Sequence, residues 1–295
     1  MKLCSLIGLL LIVGLSPAMG AAETRGDELR LATWNLYWLS AEPSSGMVRR
    51  SLDDYAHLRK YARQLDADVI ALQEVDGPAA AARVFDPAIY AFHFTGDGRN
   101  RQKVGFAWKR TLTVEPQPDL VELAISRTRR GADILVRLGD RSIRLLVVHL
   151  KSGCFDDPMD SSKRACGVLN RQLPVLESWI DARAAEGVPF AVLGDFNRRF
   201  VEGDTFWPEL DDLDPAEADL TAVTRGRISR CWGGRYPVYI DHIVLSRSAG
   251  RWLLPGSFKQ QLYDPGDASL RKILSDHCPV AVTLRAQEVL LPSVP

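Results

Sequence analysis

Six apolar runs in this sequence end in, or contain, side chains able to do chemistry. Thr33-Trp34-Asn35 lies at the end of the first run, and Gln73-Glu74 ends Val69-Ile70-Ala71-Leu72. His149 ends Leu145-Leu146-Val147-Val148, and Gly194-Asp195-Phe196-Asn197 ends Phe190-Ala191-Val192-Leu193. Asp241-His242 interrupts Val238–Leu245, and Ser275-Asp276-His277 precedes Pro279-Val280-Ala281-Val282. Glu74 and Asp276 are hard oxygen ligands, and Asn35 offers a neutral carbonyl oxygen. That mixture suits Mg²⁺ or Mn²⁺, which keep several waters and pair with phosphate. His149 and His277 can shuttle protons or donate to phosphate oxygens near neutral pH. Asp241 fits as the carboxylate that fixes an imidazole's tautomer. With Asp195 and Asn197 as an acid–amide pair, the set describes water attacking a phosphate ester. Each piece alone is an ordinary structural feature: a turn, a solvated strand end, a hydrogen-bonding histidine. Their joint occurrence is what points to a site.

Such residues need a scaffold, because strand ends hold side chains at fixed separation better than free loops do. Strand-like runs recur at Leu29–Leu36, Asp68–Gln73, Ile89–Phe94, Val104–Trp108, Ala132–Leu138, Ser142–Leu150, Pro189–Leu193, Val238–Leu245 and Pro279–Leu284. Gly139-Asp140 reads as a hairpin turn. Helical periodicity covers Ser51–Leu65 and Ser162–Glu186, the second with an interruption expected near Pro174 and an end at Gly187. Strands outnumber helices, and the helices come both early and late. Two packed sheets with helices outside, a four-layer α/β arrangement, fit this better than a doubly wound parallel sheet.

The 295 residues carry 37 Lys and Arg against 37 Asp and Glu, with 46% apolar and 25% charged residues. This balance excludes a disordered chain, a coiled coil, a polytopic membrane protein and a strongly basic nucleic-acid coat. Met1-Lys2, an apolar stretch from Leu6 to Leu15 and the small residues before Glu23 read as a signal peptide over 1–22. The stretch is short for a membrane span and is broken by Pro17. Export to periplasm or medium is therefore expected, with no stable membrane insertion after cleavage. Cys154, Cys166, Cys231 and Cys278 would remain, an even count that suggests disulfides in an exported chain. Four cysteines admit three pairings. Cys154 and Cys166 bracket a polar loop that one bridge would tie down, which favours 154–166 with 231–278. Residues 23–288 are read as one catalytic domain and 289–295 as a short tail.

The chain resembles the endonuclease/exonuclease/phosphatase superfamily, the deoxyribonuclease-I-like fold. The resemblance rests on Ala32-Thr33-Trp34-Asn35, Ile70-Ala71-Leu72-Gln73-Glu74-Val75, Val148-His149-Leu150-Lys151-Ser152, Leu193-Gly194-Asp195-Phe196-Asn197, Tyr239-Ile240-Asp241-His242-Ile243 and Leu274-Ser275-Asp276-His277. It implies a four-layer sandwich of two packed, mostly antiparallel β-sheets flanked by helices. It also implies that Asn35, Glu74 and Asp276 hold a divalent metal. His277 matches the general base or phosphate-oxygen donor, and Asp241 the acid that orients it. Asp195 and Asn197 match the pair that positions the attacking water, and His149 a second histidine proposed as general acid or phosphate ligand. The expected protein is a monomeric, Mg²⁺- or Mn²⁺-dependent phosphodiesterase, nuclease-like, acting on a phosphate ester such as nucleic acid. The alternatives are a phospholipid or sphingomyelin phosphodiesterase, a small-molecule phosphatase, or a non-catalytic binding module. Occupation of all eight motif positions by competent side chains argues against the last.

Further residues bear on substrate. Gly98–Lys103 and Arg127–Arg130 are compact basic segments that would attract a polyanion if they rim the site. Of Arg198 and Arg199, one is expected to clamp phosphate and the other to face solvent. Lys151 would share a strand face with His149 if the strand continued. Trp207, Trp232 and Tyr236 are able to stack bases or touch lipid, although core or loop anchoring is the commoner use.

Overall fold

The computed structural model describes residues 27–96 and 102–286. The expected signal peptide, residues 98–101 of the first basic segment and the expected tail lie outside the described residues. The strands are β1 (Glu28–Leu39), β2 (Val69–Val75), β3 (Tyr90–Phe94), β4 (Lys103–Lys109), β5 (Thr113–Leu120), β6 (Gly131–Leu138), β7 (Arg141–His149), β8 (Phe190–Asp195), β9 (Leu220–Ala222), β10 (Asp241–Ser246), β11 (Lys259–Gln260) and β12 (Val280–Arg285). They form two six-stranded sheets, ordered β11-β12-β1-β2-β4-β3 and β5-β6-β7-β8-β10-β9. β1 with β2 and β7 with β8 are parallel. The other ladders are antiparallel.

A parallel pair cannot be closed by a hairpin and needs a crossover, usually a helix. The two long helices fill that need. α1 (Leu52–Leu65) links β1 to β2; a short α2 (Pro78–Ala81) follows β2; α3 (Arg164–Ala185) links β7 to β8. Ser51 and Asp54 close α1 with a reciprocal capping box. α3 runs unbroken through Pro174, contrary to the expected interruption. Leu169, Leu173, Leu176, Trp179 and Ile180 bury one stripe of it against the second sheet. At about 2 kcal/mol per buried side chain, this outweighs the roughly 3 kcal/mol cost of an interior proline.

Alternation along the strands builds the layers. Leu29 and Leu31 of β1, Ile143, Leu145 and Val147 of β7, Ala191 and Leu193 of β8, and Ile243 and Leu245 of β10 fill the space between the sheets. The intervening residues face outward: Ala32 and Trp34 toward α1, Leu146, Val148, Phe190 and Val192 toward α3. Because side chains alternate with period two, the inter-sheet rows continue to Asn35, His149, Asp195 and Asp241. Strands β5, β9 and β11 carried no readable signal. All three are sheet-terminal or short, and β5 contains Pro116 and Pro118, which an edge strand tolerates. Asp241 opens β10 rather than interrupting a strand from Val238.

The cysteines pair as 154–166 and 231–278. Gly139 takes φ +63° in the β6–β7 hairpin. Gly194 is fixed by crowding: a Cβ there would sit 2.0 Å from the Val148 carbonyl oxygen on β7.

Arg50 is fully buried and donates to the carbonyls of Leu36, Tyr37, Trp38, Ile273 and Leu274. Burial pulls its guanidinium down to about 10. It thereby ties the end of β1 to the segment before Asp276-His277. Arg50→Met should cost about 3–5 kcal/mol in urea unfolding, because those carbonyls lose their donor. Arg50→Lys should recover only part of the loss, since an ammonium cannot present the planar fork.

His242 is buried on the outer face of β10 and stacks on Phe200 at 3.8 Å. Its Nε2 donates to the Arg198 carbonyl at 2.8 Å, so Nδ1 accepts from the Thr224 hydroxyl. Burial lowers its imidazole to about 4, against the weaker upward pull of the Arg198 carbonyl, Asp241 and Asp204. The folded state therefore binds the neutral ring, and stability present above the unfolded value of about 6.5 is lost as pH falls toward about 4. Denaturant unfolding across this range should show wild type losing about 2 kcal/mol more than His242→Gln.

Candidate active site

The inter-sheet rows end at one place. In the second sheet, Asp195 on β8 is flanked by its register partners His149 on β7 and Asp241 on β10. In the first sheet, the β1–β2 ladder slips between Asn35 and Leu39, and the β2–β4 ladder slips between Leu72 and Val75. Such irregularities re-aim side chains at strand ends. Glu74 lies in the second slip at φ +59°, and Asn197, past the end of β8, has φ +51°. Left-handed backbone at non-glycine residues is costly and concentrates at working sites.

A cavity of about 550 Å³ lies between the sheet ends and is lined by Glu74, His149, Asp195, Asn197, Asp241, Asp276 and His277. Of the eight residues expected from sequence, only Asn35 does not line it. Its Nδ2 donates to Asp195 Oδ2 at 3.1 Å, and its Oδ1 accepts the Tyr37 N–H at 2.9 Å. Asn35 thus braces Asp195 from the opposite sheet.

His277 Nδ1 donates to Asp241 Oδ2 at 2.8 Å, which leaves Nε2 3.8 Å from Asp195 Oδ2 and 3.7 Å from Asp276 Oδ1. His149 Nε2 stands 3.5 Å from Asp195 Oδ2 and 3.8 Å from Glu74 Oε1. The two histidines are pushed apart. Burial holds His149 well below its usual range, helped by Arg129, His277 and Lys151. For His277, burial pulls down but is overcome by Asp241, Asp195 and Asp276, leaving it well above. Burial drives the Asp195 carboxyl up; Asp241 and Glu74 add to this, while His277 and the Asn197 N–H oppose it.

Residues beyond the expected set hold this geometry. Ser275 Oγ donates to the Asn35 carbonyl at 2.7 Å and accepts the His277 N–H at 3.0 Å, joining the two halves of the chain. Tyr263 Oη donates to the His277 carbonyl at 3.1 Å, and Trp34 Nε1 donates to Tyr263 Oη at 3.1 Å. Ser275 sat inside a recognised motif, but Tyr263 and Arg50 carried no sequence signal.

The secondary candidates divide. Arg199 lines the cavity and pairs with Asp156 at 2.6 Å, whereas Arg198 is buried on Asp204 and on the Cys154 and Asp157 carbonyls instead of facing solvent. Arg129 and Gln102 line the cavity and bond to each other. Lys151 lies past the end of β7 and does not line it. Trp207 is buried, Trp232 stacks on Tyr263 at 4.4 Å, and Tyr236 lines the cavity.

The donor set fits a divalent cation. Glu74 Oε2, Asp276 Oδ1 and Asp241 Oδ1 are buried and lack hydrogen-bond partners. Hard carboxylate oxygens left unpaired in one cavity are the ligands Mg²⁺ and Mn²⁺ take. Ligand atoms of Asp195, Asp241 and His277 also lie within 4.8 Å of one another. There, however, His277 Nδ1 is already committed to Asp241.

Residues 32–277 match the Endonuclease/Exonuclease/phosphatase family. No curated protein matches the chain in sequence. Among solved structures, truncated TDP2 from Caenorhabditis elegans is similar at TM-score 0.61 and 15% identity, over 88% of this chain and 99% of that one. An endonuclease/exonuclease/phosphatase from Bacteroides vulgatus gives 0.59 and 15% over 88% and 99%. The 3′ phosphatase NExo from Neisseria, bound to product DNA hairpin, gives 0.58 and 16% over 88% and 100%. At these identities the likeness is one of fold.

Asp241→Asn keeps the side-chain shape and removes the charge that His277 leans on. The His277 imidazole should then titrate at lower pH than in wild type, as read from its ring-proton NMR shift. An unmoved titration would mean that Asp241 does not hold the proton there.

Proposed function

The chain belongs to the endonuclease/exonuclease/phosphatase family, whose members are hydrolytic phosphoesterases, and on that premise we propose that it is an exported, divalent-metal-dependent phosphodiesterase, nuclease-like in substrate. One observation carries this reading. Unpaired carboxylate oxygens, an Asp–His pair and an Asp–Asn pair share a single cavity between the two sheet ends.

Glu74 and Asp276 would hold the cation, Mg²⁺ or Mn²⁺, with Asn35 supporting from behind Asp195. When bound, the metal supplies charge neutralisation at the phosphoryl oxygens. Asp241 accepts from His277 Nδ1–H and favours the imidazolium, whose Nε2–H would face the cavity and donate to a phosphate oxygen. Asp195, held by Asn35 and the Asn197 N–H, orients water toward phosphorus and receives its proton. The Asn197 side chain, whose Nδ2 donates to the Leu150 carbonyl at 3.2 Å, fixes the loop that carries it. His149 stands on the far side of Asp195 to contact phosphate or the departing oxygen.

Export is supported by the apolar N-terminal stretch and by two disulfides, which persist in oxidising compartments. A monomeric working unit is part of this proposal. A second reading, a phospholipid or sphingomyelin phosphodiesterase, has one feature in its favour. An apolar groove of about 980 Å³ adjoins the cavity at Val238 and Tyr239.

Hydrolysis of a panel of DNA, RNA, sphingomyelin and inositol phosphates should stop in EDTA and return with Mg²⁺ or Mn²⁺. Glu74→Ala, Asp195→Ala, His149→Ala and His277→Ala should each cut turnover by about 10²–10⁴ while remaining folded by circular dichroism. Near-normal turnover in all four folded variants would refute the assignment.

A further inference from the structure

The segment between β9 and β10 carries Arg225, Arg227, Arg230 and Arg235, and it borders the cavity through Ser229, Cys231 and Tyr236. Two guanidiniums at its edge, one of them from the segment before β12, have no part in the scheme above. Arg235 and Arg271 both lie over the Tyr236 ring, at 5.9 and 6.0 Å, and Arg271 Nη1 donates to Tyr236 Oη at 3.0 Å. Among the described residues, neither guanidinium has a carboxylate partner. Elsewhere in the molecule such partners are common: Arg144 pairs with Asp133, Arg198 with Asp204, and Arg199 with Asp156.

We propose that Arg235 and Arg271, gathered on Tyr236, form a subsite for a second phosphate of the substrate, which is therefore a polynucleotide strand rather than a single-phosphate ester.

This rests on the phosphodiesterase reading and deepens it. Three observations support it. Arg230, Arg235 and Arg271 line a pocket of about 730 Å³ that meets the catalytic cavity at Ser229. Among the described residues, the only acid lining that pocket, Asp264, is taken by Lys60 at 2.5 Å, so the pocket presents uncompensated positive charge. Tyr236, which accepts from Arg271, itself lines the catalytic cavity.

The segment is also held in place before any ligand arrives. Cys231 is bridged to Cys278, next to His277. Trp232 stacks on Tyr263 and donates to the Ser275 carbonyl at 3.0 Å. The Arg230 N–H donates to Gln260 Oε1 at 2.8 Å. A guanidinium carried on a fixed segment or bonded to one presents a planar fork to phosphate oxygens. Tyr236 itself is exposed beside them. The anionic surface of a lipid bilayer is the competing source of phosphate.

The test uses the full folded protein and paired substrates: a dinucleotide with one phosphodiester and no terminal phosphate, the same dinucleotide with a 5′- or a 3′-phosphate, and a short thymidylate strand. Wild type should favour the strand, and one of the two phosphorylated dinucleotides, over the bare dinucleotide by about tenfold in kcat/KM, through KM. The Arg235→Gln/Arg271→Gln double variant should lose that preference and show a shallower salt dependence of KM. Absence of the preference in wild type, or its persistence in the folded double variant, overturns the subsite. If wild type hydrolyses no phosphodiester, the catalytic reading fails separately. Fluorescence-anisotropy binding of the labelled strand in EDTA then decides the subsite: equal affinity in wild type and double variant overturns it. Binding to phosphatidylserine vesicles that exceeds strand binding, and is lost in the double variant, also overturns it in favour of a membrane.

Discussion

A carboxylate buried between two β-sheets is the constraint on which this structure turns. Removing Asp195 from water costs several kcal/mol unless donors surround it. The donors come from both halves of the chain: the Asn35 amide from the first sheet, the Asn197 N–H from its own loop, and the imidazoles of His149 and His277 at longer range. That arrangement exists only if β1, β7, β8 and β10 stand in their observed registers. A slip of one residue in any of them would turn the polar end of its row outward and a core side chain away from the sandwich.

The surroundings of the site resist such slips. Gly194 allows β8 to approach β7 so closely that no other residue fits without backbone movement. Arg50 and Ser275 fasten the end of β1 to the segment carrying Asp276 and His277. The two disulfides close loops that both reach the cavity, one through Phe155 and the other through His277. Against this rigid frame, Glu74 and Asn197 hold left-handed backbone that a looser structure would relax. The same anchoring gives the arginine-bearing segment beside Tyr236 its fixed place.

Much of the fold was legible because its signals are local. The central strands read as apolar runs, and the two long helices read as a 3.6-residue periodicity. The edge strands were not legible. β5 is interrupted by Pro116 and Pro118, and β9 and β11 span only three and two residues, so none carries a run long enough to show a period. Pro174 misled in the other direction, since its local penalty is outweighed by burial that the α3 sequence alone does not measure.

The residues of the site divide along the same line. By itself the sequence determined which side chains end the central strands, and the order of those motifs along the chain showed which chemistry they share. Period two then placed Asn35, His149, Asp195 and Asp241 on the same faces as their apolar neighbours. Only the tertiary structure decided that Asn35 spends its amide on Asp195 and Tyr37 and stands behind the cavity. It also decided that Arg198 is a core residue while Arg199 faces the site, and that Arg50 and Tyr263 hold the machinery together. Face and period are properties of a few consecutive residues. Hydrogen bonds joining positions 160 to 240 residues apart depend on how two sheets pack, and no stretch of sequence contains that information.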